Sequence, residues 1–142
     1  MGQREILTEI QINASPDKVW AVLGDNAQWE AWNPLIIKSL GRLAPGEKVT
    51  NTIVAQGHKP MTIYPTVLKA DPARELRWLG RLLIPGLFDG EHYFQLEAKD
   101  GGTRFVHGEK FAGILLFVMR DFDAVQRGFV AMNEALKKRV EG

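Results

Sequence analysis

The chain has 142 residues, 18 Lys plus Arg against 17 Asp plus Glu, 45% apolar and 25% charged residues, and no cysteine. This composition excludes a disordered or collagen-like chain, a membrane span, a disulfide scaffold, thiolate metal sites and a cysteine nucleophile. The near-zero net charge gives no electrostatic reason to expect nucleic acid or an anionic membrane as partner. At roughly 100–200 residues per domain, a single domain over 1–142 is expected, large enough to bury a core without staples. The opening MGQREILTEIQIN has no apolar h-region, so no leader is expected and the cytoplasm is the default compartment.

The first segment alternates: Ile6, Thr8, Ile10 and Ile12 share one face, and Leu7, Glu9, Gln11 and Asn13 share the other. Period two predicts a half-buried strand. Ser15-Pro16 then opens a helix, with Ser15 as cap and Pro16 at the first helical position. That helix turns Val19, Trp20, Val22 and Leu23 inward and stops near Gly24-Asp25. A second short helix carries Trp29 and Trp32 on one side and ends at Asn33-Pro34.

Six strands are predicted next, near 35–43, 47–56, 60–70, 74–83, 87–99 and 102–111. Turn chemistry separates them at Pro45-Gly46, Gly57 to Lys59, Asp71-Pro72, Pro85-Gly86 and Asp100 to Gly102. The short gaps predict an antiparallel meander. From about Gly113 to Val140 the period changes. Leu115, Val118, Phe122, Val125, Phe129, Met132 and Leu136 fall three and four apart, the stripe of an amphipathic helix. The expected architecture is α+β, order β-α-α-β6-α: a curved seven-stranded antiparallel sheet around one long C-terminal helix. A single helix cannot fill the concavity of such a sheet, and the space left suits a small ligand.

The run Ala14 to Trp20 (ASPDKVW), then Leu23, Asp25 and Trp29 to Pro34 (WEAWNP), resembles the opening signature of the SRPBCC superfamily, the START-like and polyketide cyclase/dehydrase group that includes birch-pollen-allergen-like proteins. Leu76-Arg77-Trp78, His92-Tyr93-Phe94, Thr103-Arg104-Phe105 and Glu109 to Gly113 match it as well. The resemblance covers essentially the whole chain and implies a helix-grip fold with a hydrophobic cavity. It does not fix a substrate, because relatives include lipid binders, aromatic cyclases, hormone receptors, chaperone activators and oxygenase domains.

Strand parity identifies what faces the cavity. In 102–111, Phe105, His107, Glu109 and Phe111 share the inner face; in 87–99, His92, Phe94 and Leu96 do. If Ala98 opposes Thr103 across the Lys99–Gly102 loop, then Phe94 opposes His107 and His92 opposes Glu109. A one-residue slip would turn every one of these over. His92 and Glu109 are thus expected as cross-strand neighbours, with His107 on the diagonal. A three-residue loop with a bulge at Pro85-Gly86 would place Trp78 inside and Arg77 outside.

A carboxylate beside an imidazole holds its tautomer, which serves equally a ligand anchor, an acid–base dyad or a satisfied buried pair. Two histidines and a carboxylate also have the composition of a metal site, but no further carboxylate stands near to orient them and the resemblance carries no metal there. His58 reads as a solvated loop residue. No phosphate loop, serine triad, zinc finger or dinucleotide motif is found, so no cofactor and no metal is expected.

Trp32, Asn33, Trp78, His92, Phe94, His107, Glu109, Phe111, Phe122 and Phe129 form the expected ligand-binding set. The hairpin tip Leu82 to Phe88 is unusually apolar, so Leu83, Ile84, Pro85, Leu87 and Phe88 read as a lid or as a contact patch, including one between two copies in a homodimer. Three functions remain open in this order: a binder of a small hydrophobic, aromatic or acyl ligand; a cyclase or dehydrase using His92 as base and Glu109 as its orienting partner; and a partner-binding module docking through the tip.

Overall fold

A computed structural model describes residues 2–55, 57–81, 89–113 and 122–142. The predicted lid residues Leu83, Ile84, Pro85, Leu87 and Phe88 lie outside these, as do Leu115 and Val118 of the helical stripe. The chain runs β1 (Gly2–Ile12), α1 (Pro16–Leu23), a 3-10 helix (Asn26–Ala31), β2 (Ile36–Leu40), β3 (Thr50–Ile53), β4 (Met61–Ile63), β5 (Thr66–Asp71), β6 (Glu75–Arg81), β7 (Asp89–Lys99), β8 (Gly102–Gly113) and α2 (Phe122–Glu141).

The α+β helix-grip arrangement is as expected, but the strands divide differently. Among the described residues there are eight strands in two antiparallel sheets, ordered β1-β8-β7-β6-β5 and β2-β3-β4. The strand expected over 60–70 breaks at Tyr64-Pro65, because proline has no N–H to give a ladder. Pro65 still accepts from Val49 N at 3.0 Å, and a bridge between Lys48 and Thr66 links the two sheets there. The second helix is a 3-10 turn rather than an α-helix.

Local chemistry sets the elements that matter. Ser15 accepts from Lys18 N at the start of α1, with Pro16 in the first turn. The β7–β8 hairpin closes on Asp100 (φ 50°) and Gly101 (φ 77°), both left-handed, as a two-residue primed turn requires. That turn pairs Lys99 with Gly102 and fixes the whole register: Ala98↔Thr103, Leu96↔Phe105, Phe94↔His107 and His92↔Glu109. On the next strand Trp78 pairs with His92, so it shares the concave face. Arg77 turns to the convex face, where it bonds Glu75 and Glu91.

The core lies between the five-stranded sheet and α2. Ile12, Leu76, Phe94, Phe105, Phe129, Met132 and Leu136 are buried there. Trp29 inserts from the 3-10 helix, 6.0 Å from Trp78 and 6.5 Å from Phe94 between ring centroids. Burying side chains of this size contributes roughly 1.5–3 kcal/mol each. The end of α2 is pinned to the end of β1: Lys137 Nζ donates to the Gln11 carbonyl at 2.7 Å, and Asn13 N donates to Glu141 Oε2 at 2.8 Å. These bonds set the position of α2 over the sheet. Gly128 allows a close approach, since a Cβ there would lie 2.9 Å from Leu35 Cδ1.

Candidate functional site

The concave face carries a continuous chain of hydrogen bonds through five side chains. Glu109 Oε1 lies 2.9 Å from His92 Nδ1. His92 Nε2 lies 2.7 Å from His107 Nε2, and His107 Nδ1 lies 2.8 Å from Asn133 Oδ1 on α2. Asn133 Nδ2 donates to Thr8 Oγ1 at 2.8 Å, and Thr8 Oγ1 donates to the His107 carbonyl at 2.8 Å. Parity along β1, β7 and β8 brings Thr8, His92, His107 and Glu109 to one face. Asn133 is four residues after Phe129 and so shares its face of α2.

The direction of every proton follows from the far end. The Thr8 hydroxyl gives its hydrogen to a carbonyl, so it accepts from the Asn133 amide nitrogen. Asn133 Oδ1 then faces His107 Nδ1, which must donate. A neutral imidazole with Nδ1–H has a lone pair on Nε2. His92 therefore donates through Nε2–H, and the remaining contact, His92 Nδ1 with Glu109 Oε1, holds one proton on one atom or the other. His107 is fully buried, and its pKa lies well below the ordinary 6.5, first because burial penalises the charged form and then because of neighbouring His92. Bonds to Asn133 and to the Phe129 backbone only partly oppose this.

Aromatic rings hold the imidazoles in place. His107 stacks on Phe129 at 4.2 Å with 5° between planes, and Phe94 lies 4.5 Å from it. Trp78 stacks on His92 at 5.0 Å. Around the two histidines the space between sheet and helix is thus filled by side chains. Their Nε2 atoms point at each other in a hydrogen bond instead of converging on a common point, and no metal-holding group of His, Asp or Glu is present among the described residues.

Burial is less complete further along the face, at Glu109. The Glu109 side chain is 18% exposed, against 7% for His92. Its Oε2 lies over Gly90, where any Cβ would collide with it. Gly80 pairs with Gly90, and a Cβ at Gly80 meets nothing nearer among the described residues than the Gly90 carbonyl oxygen at 3.9 Å. Among the described residues Gly80 thus presents bare backbone, beside a carboxylate that itself covers Gly90. Phe111 pairs with Gly90 and packs edge-on to Phe122 at 5.6 Å. The Arg4 guanidinium covers Phe122, 3.8 Å from its ring centroid.

Of the ten predicted ligand residues, Trp78, His92, Phe94, His107, Glu109 and Phe129 form one contiguous group, and Phe111 and Phe122 pack together beyond Glu109, both buried. Trp32 and Asn33 sit after the 3-10 helix. Asn33 Oδ1 accepts from Leu35 N and Ile36 N, both at 2.9 Å, a structural cap. Trp32 Nε1 and Asn33 Nδ2 are buried without a partner among the described residues. Sequence reading passed over Asn133, Thr8, Gly80 and Gly90. Asn133 was legible as a polar residue on the inward face of the helical stripe, and Thr8 already shared the inner face of the first strand. A shallow groove of about 460 Å³ lies elsewhere, on the outer side of α2 between Asp123 and Glu134, and includes none of the hydrogen-bonded chain. Among the described residues no helix is long and apolar enough to cross a membrane.

The fold is shared with solved structures of low identity. An aromatase/cyclase, ZhuI from Streptomyces sp. R1128, superposes with a TM-score of 0.77 at 19% identity, covering 99% of this chain and 94% of that one. Major latex-like protein 151 from Panax ginseng gives 0.80 at 9% identity, covering 99% of both chains. Protein MLL2253 from Mesorhizobium loti gives 0.73 at 22% identity, covering 97% of both. No curated protein matches the sequence. The sequence model of one family, described as polyketide cyclase / dehydrase and lipid transport, matches residues 3–141. With nearly the whole chain matched and the same fold in those structures, the chain belongs to this family of the SRPBCC superfamily.

Proposed function

We propose that the protein binds a small hydrophobic ligand on the concave face over Gly80, with Glu109, which lies over the neighbouring Gly90, as its polar contact. The family's description, covering cyclases, dehydrases and lipid transport, supports a hydrophobic ligand. The observation that carries the location is the glycine pair beside a partly exposed carboxylate. Trp78, Phe111 and Phe122 pack beside it, each buried, and His92 with His107 hold the carboxylate in place. A neutral probe, N-phenyl-1-naphthylamine, is expected to bind saturably with a rise in fluorescence, and Gly80→Leu to weaken binding at least tenfold while the thermal midpoint holds. Absence of saturable binding, or equal binding by Gly80→Leu, overturns this reading.

The same geometry supports a second reading, acid–base catalysis in the pocket. Both His92 nitrogens are engaged, so in this reading Glu109 meets the substrate and His92 positions it, the reverse of the roles expected from sequence. Turnover of a bound substrate that is lost in Glu109→Gln while binding persists would support it.

A further inference from the structure

Glu109 Oε2 has a fixed chemical character. The proton on the Glu109–His92 contact sits between Oε1 and Nδ1, and the His107–Asn133–Thr8 chain leaves it no other place. If it rests on His92, Glu109 is a carboxylate and Oε2 accepts. If it rests on Oε1, Oε2 is a carbonyl oxygen and still accepts. Both arrangements leave the pair with zero net charge and an acceptor facing the glycine floor.

We propose that Glu109 Oε2 is the specificity-determining anchor of the site. It selects apolar ligands that carry a hydrogen-bond donor, a hydroxyl or N–H, and rejects those whose polar end is a carboxylate. This rests on the reading of the concave end as a ligand site. A hydroxyl donates to Oε2 without bringing a charge into an aromatic surround. A carboxylate there sets acceptor against acceptor. The charged group placed to favour the opposite choice is Arg4, which pairs with Phe111 on the next strand and already covers the Phe122 ring.

The test compares three probes of one ring system by titration calorimetry at pH 7: 1-naphthol, 1-methoxynaphthalene and 1-naphthoate. The expected result is naphthol binding about tenfold or more tighter than either other probe, the range for a hydrogen bond to a charged acceptor. In Glu109→Leu the naphthol preference over methoxynaphthalene should fall below about twofold. The wild-type comparison decides the matter alone if that variant does not fold. Equal binding of naphthol and methoxynaphthalene, or a preference surviving in Glu109→Leu, overturns the proposal. Tighter binding of naphthoate also overturns it and points to Arg4. Failure of all three to bind removes the hydrophobic site itself.

Discussion

The Nε2 atoms of His92 and His107 lie 2.7 Å apart, so one imidazole donates and the other accepts. Asn133 and Thr8 decide which: His107 accepts, because its Nδ1 hydrogen is already committed to Asn133. A residue on the C-terminal helix therefore sets the tautomer of a strand histidine, which orients a second histidine and finally a carboxylate. Buried polar chains of this kind are stable only when every member is satisfied.

Removing the helix member should therefore cost more than its own volume. Asn133→Leu leaves His107 Nδ1 without its side-chain acceptor and Thr8 without its amide donor. Each lost partner of a buried polar group costs about 1–3 kcal/mol, so a loss of about 2–6 kcal/mol is expected in urea denaturation. A variant as stable as the parent would show that the chain contributes nothing to folding.

Gly90→Ala offers a different test, because strand alanine is ordinarily tolerated better than glycine. Here the added Cβ collides with Glu109 Oε2, and the carboxylate must move. The expected outcome is a loss of about 1–2 kcal/mol, on the scale of a strained or broken charged hydrogen bond, together with weaker binding of the neutral probe. Gly80→Ala, which meets no such atom among the described residues, should keep the parent's stability. Equal effects at the two glycines would show that Glu109 does not lie over position 90.

Stability should also depend on pH in a window below neutrality. Burial, and then His92, hold the His107 pKa well below 6.5 in the folded chain. Unfolding releases this residue to bind a proton that the folded state refuses. The unfolded state thus takes up more protons, and stability falls as pH drops below about 6.5, by up to about 1.4 kcal/mol per pH unit from this residue. Measured between pH 6.5 and 5, above the ordinary carboxylate range, the urea midpoint should fall with acid, and His107→Gln should lessen the slope by about one proton. An unchanged slope would mean that His107 charges in the folded protein.

Much of this was legible in the residues. The Asp100-Gly101 turn gave the β7–β8 register, and with it the His92–Glu109 pair, because a two-residue primed turn admits one pairing. Trp78 followed from the cost of turning Arg77 inward. The break at Pro65 was hidden inside a run that alternates well on both sides of it, and the 3-10 turn at Asn26 was hidden because Trp29 and Trp32 fit either helix. Asn133 was missed for another reason: a polar residue on an apolar stripe has meaning only once its partner across the interface is known. The glycine floor was invisible to parity, which tracks side chains and overlooks places that have none.

The assignment of His107 as a neutral Nδ1–H imidazole is tested most directly by two-bond ¹H–¹⁵N correlation spectra of the ¹⁵N-labelled protein between pH 5 and 8. One histidine should show a protonated Nδ1 and an unprotonated Nε2 throughout, without titrating, and that pattern should vanish in His107→Gln. If His107 instead carries its hydrogen on Nε2, or titrates near 6.5, the hydrogen-bond order from Thr8 to Glu109 is wrong.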